Sequence, residues 1–170
     1  MHNQLRFAII VTILIFGNCW NNEYDNELNF LCPNNTAVSG IRSQHDNRYE
    51  DRVFEILCRI TPGTASRCHW SGWVNDFDDF FAYECDNHGF IHGMRSIHEN
   101  KYEDRRWEFY CCEHNSLTVS ECYQTHHTNW DAYFSVDVPE NFVMRGVTST
   151  HDNHYEDREY IFQLCKLIDF

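Results

Sequence analysis

Apolar and polar residues alternate along three similar segments of this chain. In the clearest of them, between residues 105 and 112, Trp107, Phe109 and Cys111 occupy every second position. Because successive side chains of a strand point to opposite faces, this period of two predicts a strand with one aromatic face. Corresponding segments begin at Arg52 and Arg158, so three strands of the same kind are predicted.

A second alternating segment precedes each of these strands and contains a glycine. The three glycines occupy matching places in their segments and are Gly40, Gly93 and Gly146. A glycine inside a strand pattern indicates a β-bulge or a close approach of another backbone. Each pair of segments therefore predicts two strands joined by a polar turn, with a bulge or a close backbone contact at the glycine.

The polar turn between the two strands recurs with a constant spacing. It begins at His45, His98 and His151, and each start lies 53 residues after the previous one. A fixed period of this length indicates one supersecondary unit used three times. Three copies also suit a scaffold or a multivalent binder better than a catalytic centre, which needs one asymmetric set of groups.

The predicted fold is all-β, because strand and turn patterns recur every 10–13 residues or so and helical periodicity is hard to find. Three repeats would close around a pseudo-threefold axis. Two architectures satisfy this condition, a β-prism of three sheets and a β-trefoil. The period resembles the internal repeat of β-prism proteins, so we predict the prism first.

The N-terminal residues predict export. Arg6 precedes an apolar run from Phe7 to Phe16 that is too short to span a bilayer, and polar residues follow it. This pattern is typical of a secretory signal peptide, and a buried N-terminal strand is the alternative. The predicted division is a signal peptide at 1–19 with cleavage near 17–19, then one domain at 20–170 with repeats at about 20–67, 68–120 and 121–170.

Nine cysteines in an exported chain predict disulfides rather than a metal site. One period carries Cys32 and Cys58 onto Cys85 and Cys111, and carries Cys112 onto Cys165. Cys68 moves to one residue before Cys122. The symmetric solution is Cys32–Cys58, Cys85–Cys111, Cys68–Cys112 and Cys122–Cys165.

The chain is strongly acidic. Lysine and arginine number 13 against 26 aspartates and glutamates, a net charge of −13, and loss of Arg6 with the signal peptide makes it more negative still. Such a surface repels nucleic acid and anionic membranes. We expect partners that are cationic or neutral, and self-association stays open.

The repeated turns hold the candidate binding residues. They are His45, Tyr49, Glu50, Asp51, Arg52, His98, Tyr102, Glu103, Asp104, Arg105, His151, Tyr155, Glu156, Asp157 and Arg158. The arginine of each turn falls on the aromatic face and needs a partner, since an unpaired buried charge is very costly. One interpretation is an ion pair with the aspartate of the same repeat that pins the strand start. The other is three ligand sites at the turns.

Metal and catalytic signals are weak. The three histidines stand beside carboxylates and would suit zinc in a cluster across the axis, but capping hydrogen bonds are the usual role of such residues. The stretch Asp76–Asp79 lacks the glycine and glutamate of a calcium loop. Hydrolase, zinc-protease and phosphate-loop motifs are missing from the sequence, so we predict a non-enzyme without metal or cofactor. Asn34 begins a glycosylation acceptor and is expected on a surface turn.

The repeated hexapeptides resemble those of the dermatopontin family, which includes invertebrate hemagglutinin and amebocyte aggregation factors. They are Asp51-Arg52-Val53-Phe54, Asp104-Arg105-Arg106-Trp107-Glu108-Phe109 and Asp157-Arg158-Glu159-Tyr160-Ile161-Phe162. The resemblance extends over essentially the whole mature chain. It also includes Gly72-Trp73-Val74-Asn75, Phe109-Tyr110-Cys111-Cys112 and Met144-Arg145-Gly146-Val147-Thr148-Ser149-Thr150.

This resemblance implies a secreted, extracellular, non-enzymatic protein of the matrix or of cell adhesion. Its expected partners are glycans, proteoglycans, and matrix or cell-surface proteins, and agglutination is one expected activity. Exposed tyrosine and tryptophan would stack on sugar rings while acidic and amide groups accept hydroxyl hydrogen bonds. The alternatives are a structural acidic matrix component that contacts calcium or mineral, and a glycosidase built on two carboxylates.

Overall fold

The computed structural model describes residues 20–62 and 65–169, so the predicted signal peptide lies outside the described residues. The described residues form eleven strands and no helix, which confirms the all-β prediction. The strands are β1 (Leu28–Leu31), β2 (Thr36–Asp46), β3 (Asp51–Ile60), β4 (Ala65–Trp70), β5 (Phe81–Glu84), β6 (Phe90–Glu99), β7 (Asp104–His114), β8 (Leu117–Gln124), β9 (Phe134–Asp137), β10 (Phe142–Asp152) and β11 (Asp157–Asp169).

Three antiparallel sheets are built around the three long hairpins that the repeat predicts. Their strand orders are β1-β6-β7-β4, β5-β10-β11-β8 and β3-β2-β9. The short outer strand of each sheet comes from a neighbouring repeat: β1 pairs with β6, β5 with β10, and β9 with β2. The last of these pairings joins the third repeat to the first, so the exchange of short strands closes the chain into a ring. This three-sheet arrangement agrees with the prism-like expectation.

The repeated glycines serve both roles that the sequence predicts. The register of each hairpin shifts immediately before its glycine, which marks a bulge. At Gly93 a β-carbon would lie 2.6 Å from the Phe30 carbonyl oxygen and would overlap the Leu31 side chain. At Gly146 the nearest atom would be the Tyr83 carbonyl oxygen, at 2.7 Å. Glycine therefore lets the short strand of the neighbouring repeat come close enough to pair.

Replacing Gly93 with alanine is expected to destabilise the fold by about 1–3 kcal/mol, because the backbone of β1 cannot move without losing its pairing. Gly40→Ala is the matched control, since its β-carbon would meet its nearest atoms at 3.3 Å and needs only a small adjustment. Urea unfolding of both variants measures the difference. Equal losses at the two positions would contradict this account of the glycines.

A single aromatic cluster forms the centre of the core. Phe54, Trp107 and Tyr160 occupy equivalent positions in the three repeats, are buried, and meet edge to face. Their ring centroids are 5.1 Å apart for Phe54 and Trp107, 5.8 Å for Trp107 and Tyr160, and 6.3 Å for Phe54 and Tyr160. Edge-to-face packing at such distances is favourable for aromatic pairs. The pseudo-threefold axis passes through this cluster.

In the described part of the chain, four disulfides link strands to loops or to a neighbouring strand of the same sheet. They are Cys32–Cys58, Cys85–Cys111, Cys68–Cys112 and Cys122–Cys165, which are the four pairs given by the repeat. The neighbours Cys111 and Cys112 belong to different apolar clusters, as expected for adjacent residues on opposite faces of a strand. Each closure is worth roughly 3–4 kcal/mol on the loop-entropy model.

Candidate functional site at the turn end of the repeats

The three hairpin turns lie together at one end of the molecule. Glu50, Glu103 and Glu156, one from each turn, line the same shallow depression on the pseudo-threefold axis. All three have left-handed backbone conformations, with φ angles of 45°, 46° and 45°. Such angles are uncommon outside glycine, so the three turns share one unusual geometry. Three further loops, at 23–26, 76–79 and 128–131, cover these turns.

Buried arginine–aspartate pairs link the repeats beneath the turns. Each arginine donates two hydrogen bonds to one carboxylate, and its Nε lies 2.6 Å from Oδ1. The pairs are Arg52 with Asp157, Arg105 with Asp51, and Arg158 with Asp104. The expected pairing inside each repeat is therefore wrong. Asp51 and Arg52 are consecutive residues of a strand and point in different directions, so each arginine meets the aspartate of another repeat.

The covering loops complete these pairs. Backbone amides of Asp25, Asp78 and Asp131 each donate to the buried aspartate beneath them, at 2.8, 2.8 and 2.9 Å. Each arginine also donates to a loop carbonyl, as Arg105 does to that of Asn26 at 3.0 Å. The buried charges are thus paired and hydrogen-bonded, which is the condition for keeping charge in an interior. These buried side chains therefore hold the loops in place.

The glutamates at the axis influence one another. Burial raises the pKa of the Glu50 carboxyl, and Asp131, Glu156 and Asp157 add to the rise while His45 opposes it. Burial likewise raises the pKa of Glu103, with further contributions from Asp25, Glu156 and Glu50 and opposition from His98. Like charges this close favour the protonated form. The end of the molecule is therefore a crowded acidic surface.

The histidines of the three turns are separated from one another. Each lies with two aspartates, in the groups His98–Asp25–Asp51, His45–Asp131–Asp157 and His151–Asp78–Asp104. A single cluster across the axis, one of the two sequence interpretations, is therefore not the arrangement of the described residues. The expected capping hydrogen bonds are also missing there, since both ring nitrogens of His45 and His98, and Nε2 of His151, have no hydrogen-bond partner.

Three stacked aromatic pairs stand on the surface of this end. Tyr49 stacks on Tyr24 with ring centroids 4.8 Å apart, and Tyr102 stacks on Phe77 at 4.9 Å. In the third repeat Tyr155 stacks on Trp130 at 5.4 Å. The planes differ by 6°, 8° and 4°, respectively. Five of the six rings are partly exposed and Tyr155 is 38% exposed, so each repeat presents part of an aromatic pair to solvent.

A cationic or imidazole side chain flanks each pair. The Arg48 guanidinium lies 4.5 Å from the Tyr49 ring centroid, and the Lys101 ammonium lies 4.7 Å from that of Tyr102. His154 packs edge-on against Tyr155 with centroids 4.9 Å apart. Sequence reasoning selected the three turn tyrosines but missed their partners. The available signal was that aromatic residues at 24, 77 and 130 also follow the 53-residue period.

Two minor candidates also have defined positions. Asn34 is exposed on the turn between β1 and β2, as expected, and the Thr36 hydroxyl of its acceptor motif donates to the Pro33 carbonyl at 2.6 Å. The acidic stretch Asp76–Asp79 does not converge on one point: Asp76 pairs with Arg106, whereas Asp78 belongs to a histidine group. These contacts give the stretch a structural role.

This chain is similar to proteins of one known family. The family model named Dermatopontin matches residues 22–170. A hemagglutinin/amebocyte aggregation factor of Limulus polyphemus is 38% identical over 170 residues, covering 98% of each chain. Millepora cytotoxin-1 of Millepora dichotoma is 38% identical over 144 residues, covering 85% of this chain and 65% of its own length. A dermatopontin of Biomphalaria glabrata is 35% identical over 138 residues, covering 81% of this chain and 93% of its own.

No solved structure matches the chain. The described residues form no helix that is long and apolar enough to cross a membrane. The triple motif, the four symmetric disulfides and the family match over residues 22–170 agree with one another. The chain belongs to the dermatopontin family.

Proposed function

We propose that this protein is a secreted, non-enzymatic adhesion protein that binds glycans of cell surfaces or matrix through its three stacked aromatic pairs. The observation that carries the proposal is their threefold repetition at one end of the molecule. The similar Limulus protein is named for agglutination, which supports a role in joining surfaces.

The chemistry of each pair suits a sugar ring. The apolar face of a pyranose packs on an aromatic ring, and the polar edge of the ring system supplies hydrogen-bonding groups. Tyrosine hydroxyls and the exposed carboxylates of the turns provide acceptors for sugar hydroxyls. Phe80 and Tyr133, which are 61% and 55% exposed, follow two of the covering loops and add exposed aromatic rings there. A neutral saccharide fits this acidic surface better than a sulfated one.

Three sites that face the same way favour avidity. When one site engages a glycan on a surface, the other two bind at a high effective concentration. Weak single sites thereby give tight attachment to a surface that carries many copies of the ligand. Joining two surfaces requires a second copy of the chain that faces the opposite way, so agglutination would depend on self-association.

Removing the aromatic platforms tests the proposal. Alanine at Tyr49, Tyr102 and Tyr155 together is expected to reduce red-cell agglutination and glycan-array binding by at least tenfold, because stacking and avidity are lost together. A single replacement is expected to lower binding several-fold and leave the melting temperature nearly unchanged, since each ring is at the surface. Hemagglutination titre and glycan-array signal measure the effect.

Tyr123→Ala is the matched control, since Tyr123 is an exposed tyrosine on β8, away from the turns. An equal loss in this control, or an unchanged titre in the triple variant, would overturn the assignment of the aromatic pairs. The second candidate function would be favoured if the unmodified protein neither agglutinated red cells nor bound the glycan array. The protein would then be expected to self-associate in a calcium-dependent way, as measured by light scattering. That candidate is a structural acidic matrix component, which the three axial glutamates support.

A further inference from the structure

Each repeat junction contains a buried imidazole that faces carboxylates instead of hydrogen-bond partners. The side chains of His45, His98 and His151 are 0%, 0% and 1% exposed. Five of their six ring nitrogens are buried without a hydrogen bond in the described part of the chain. An unsatisfied buried polar group is costly, and this arrangement occurs in all three copies.

The distance from each imidazole to its nearest aspartate is that expected for two ligands of one metal ion. Imidazole Nδ1 lies 3.5 Å from the nearest aspartate Oδ1 in every copy, where the aspartates are Asp131, Asp25 and Asp78. This separation exceeds the roughly 2.7–3.2 Å of a hydrogen bond. It matches two ligands at about 2.0–2.2 Å from one tetrahedral metal ion, which lie about 3.3–3.5 Å apart. A second aspartate lies near each imidazole, with the ligand atoms of each group within 4.8 Å of one another. In the His98 group this aspartate is Asp51, whose Oδ1 lies 3.9 Å from Nε2, so its carboxylate must shift to share an ion with Nδ1 and Asp25.

We propose that the protein holds a divalent transition-metal ion of the zinc class at each of its three repeat junctions. One imidazole and two carboxylates form the protein ligands, and water completes the tetrahedron. Calcium does not fit, because it takes oxygen ligands only, whereas imidazole suits zinc and its neighbours. The inference goes beyond the proposed glycan binding and does not depend on it.

The three groups differ in how many lone pairs of the buried aspartate remain free to bind a metal ion. Asp51 and Asp104 each accept two hydrogen bonds from an arginine and one from a loop amide. Asp157 accepts these three and a fourth from the Arg158 amide. A carboxylate has about four lone-pair directions, so Asp157 has none left for a metal. The groups of His98 and His151 should therefore bind first, and that of His45 most weakly.

Metal binding would also fix the aromatic platforms. Asp25, Asp78 and Asp131 directly follow the aromatic residues Tyr24, Phe77 and Trp130, and they lie in the covering loops. A bond from each aspartate to an ion beside the buried histidine ties the loop to the core. The three stacked pairs would then be held in place by the metal as well as by the arginine–aspartate pairs.

Titration of the metal-free secreted chain with Zn²⁺ tests the sites directly. Isothermal calorimetry is expected to give two tight equivalents and a weaker third, and Co²⁺ is expected to give the visible absorption of a tetrahedral site. The decisive variant carries Asp25→Asn, Asp78→Asn and Asp131→Asn. These residues have φ angles of 61°, 65° and 55°, which asparagine adopts readily, so the fold is kept while the charged ligand is lost. Zinc affinity is expected to fall at least tenfold.

The charge-matched control replaces three exposed carboxylates elsewhere, with Asp86→Asn, Asp137→Asn and Glu140→Gln. It should bind zinc like the unmodified chain, and excess Ca²⁺ should not displace the zinc. His98→Gln should remove one tight equivalent, whereas His126→Ala, at an exposed histidine, should remove none. Absence of zinc binding at 100-fold excess would overturn the inference, and so would equal affinity in the decisive variant and the control.

Discussion

Replacement of Arg105 with methionine is expected to destabilise the protein by about 3–5 kcal/mol, because it leaves the Asp51 carboxylate buried and unpaired. Both Asp51 oxygens now accept hydrogen bonds from Arg105, at 2.6 and 2.7 Å. The side chains are 3% and 1% exposed, so solvent cannot replace the lost partner. A loss of this size is a large part of the stability of a single domain, and poor secretion should accompany it. Urea unfolding of the purified variant measures the change.

A surface arginine supplies the control for this prediction. Arg48 is 74% exposed and 3.8 Å from Asp46, and Arg48→Met should change stability by no more than about 0.5 kcal/mol. The double variant Asp51→Asn, Arg105→Met should cost less than the two single changes combined, because the orphaned charge is gone. A cost for Arg105→Met as small as that for Arg48→Met would mean that the buried pairs do not hold the repeats together.

The sequence predicted the parts of this structure that one repeat determines by itself. Alternation along β7 specifies which face of the strand is buried, since a shift by one residue would expose Trp107 and Phe109. The cysteine spacing also predicts topology, because Cys32 and Cys58 are 26 residues apart and pair as Cys85 and Cys111 do one period later. The all-β class, the three hairpins and the disulfides could therefore be predicted from the pattern alone.

Contacts between repeats could not be predicted in this way. The partner of Arg105 is Asp51 rather than its neighbour Asp104, and this depends on how the repeats are rotated around the axis. The sequence of a single repeat does not determine that rotation. The exchange of the short strands, such as β1 onto β6, has the same origin. Equivalent pieces of three repeats are interchangeable in sequence, so only the closed ring decides which copy each one meets.

The aromatic pairs show a different limit. Tyr24, Phe77 and Trp130 follow the period, but each copy uses a different aromatic residue, and the third loop has otherwise diverged. What the site requires there is a flat ring, so the residue type is free to change while the chemistry is kept. A search for identical residues in the three repeats therefore finds the turns but misses the aromatic residues of the loops that stack on them.

The central aromatic cluster gives the second large effect. Trp107→Ala is expected to cost about 3–5 kcal/mol, because the cavity would open where the three sheets meet. Trp107 packs against Phe54 and Tyr160 with ring centroids at 5.1 and 5.8 Å, and it is among the largest fully buried side chains. Calorimetric melting of the variant should show a decrease of about 6–20 °C for a domain of this size.

Trp107→Phe is the matched control and should cost no more than about 1.5 kcal/mol. The equivalent position of the first repeat already holds Phe54, so a phenyl ring is compatible with the axis. The indole Nε1 of Trp107 is also buried without a hydrogen-bond partner in the described region, and phenylalanine removes that unsatisfied donor. If the two variants were equally unstable, the cluster would depend on the indole itself. If neither were unstable, the three sheets would be held together mainly by the disulfides and the arginine–aspartate pairs.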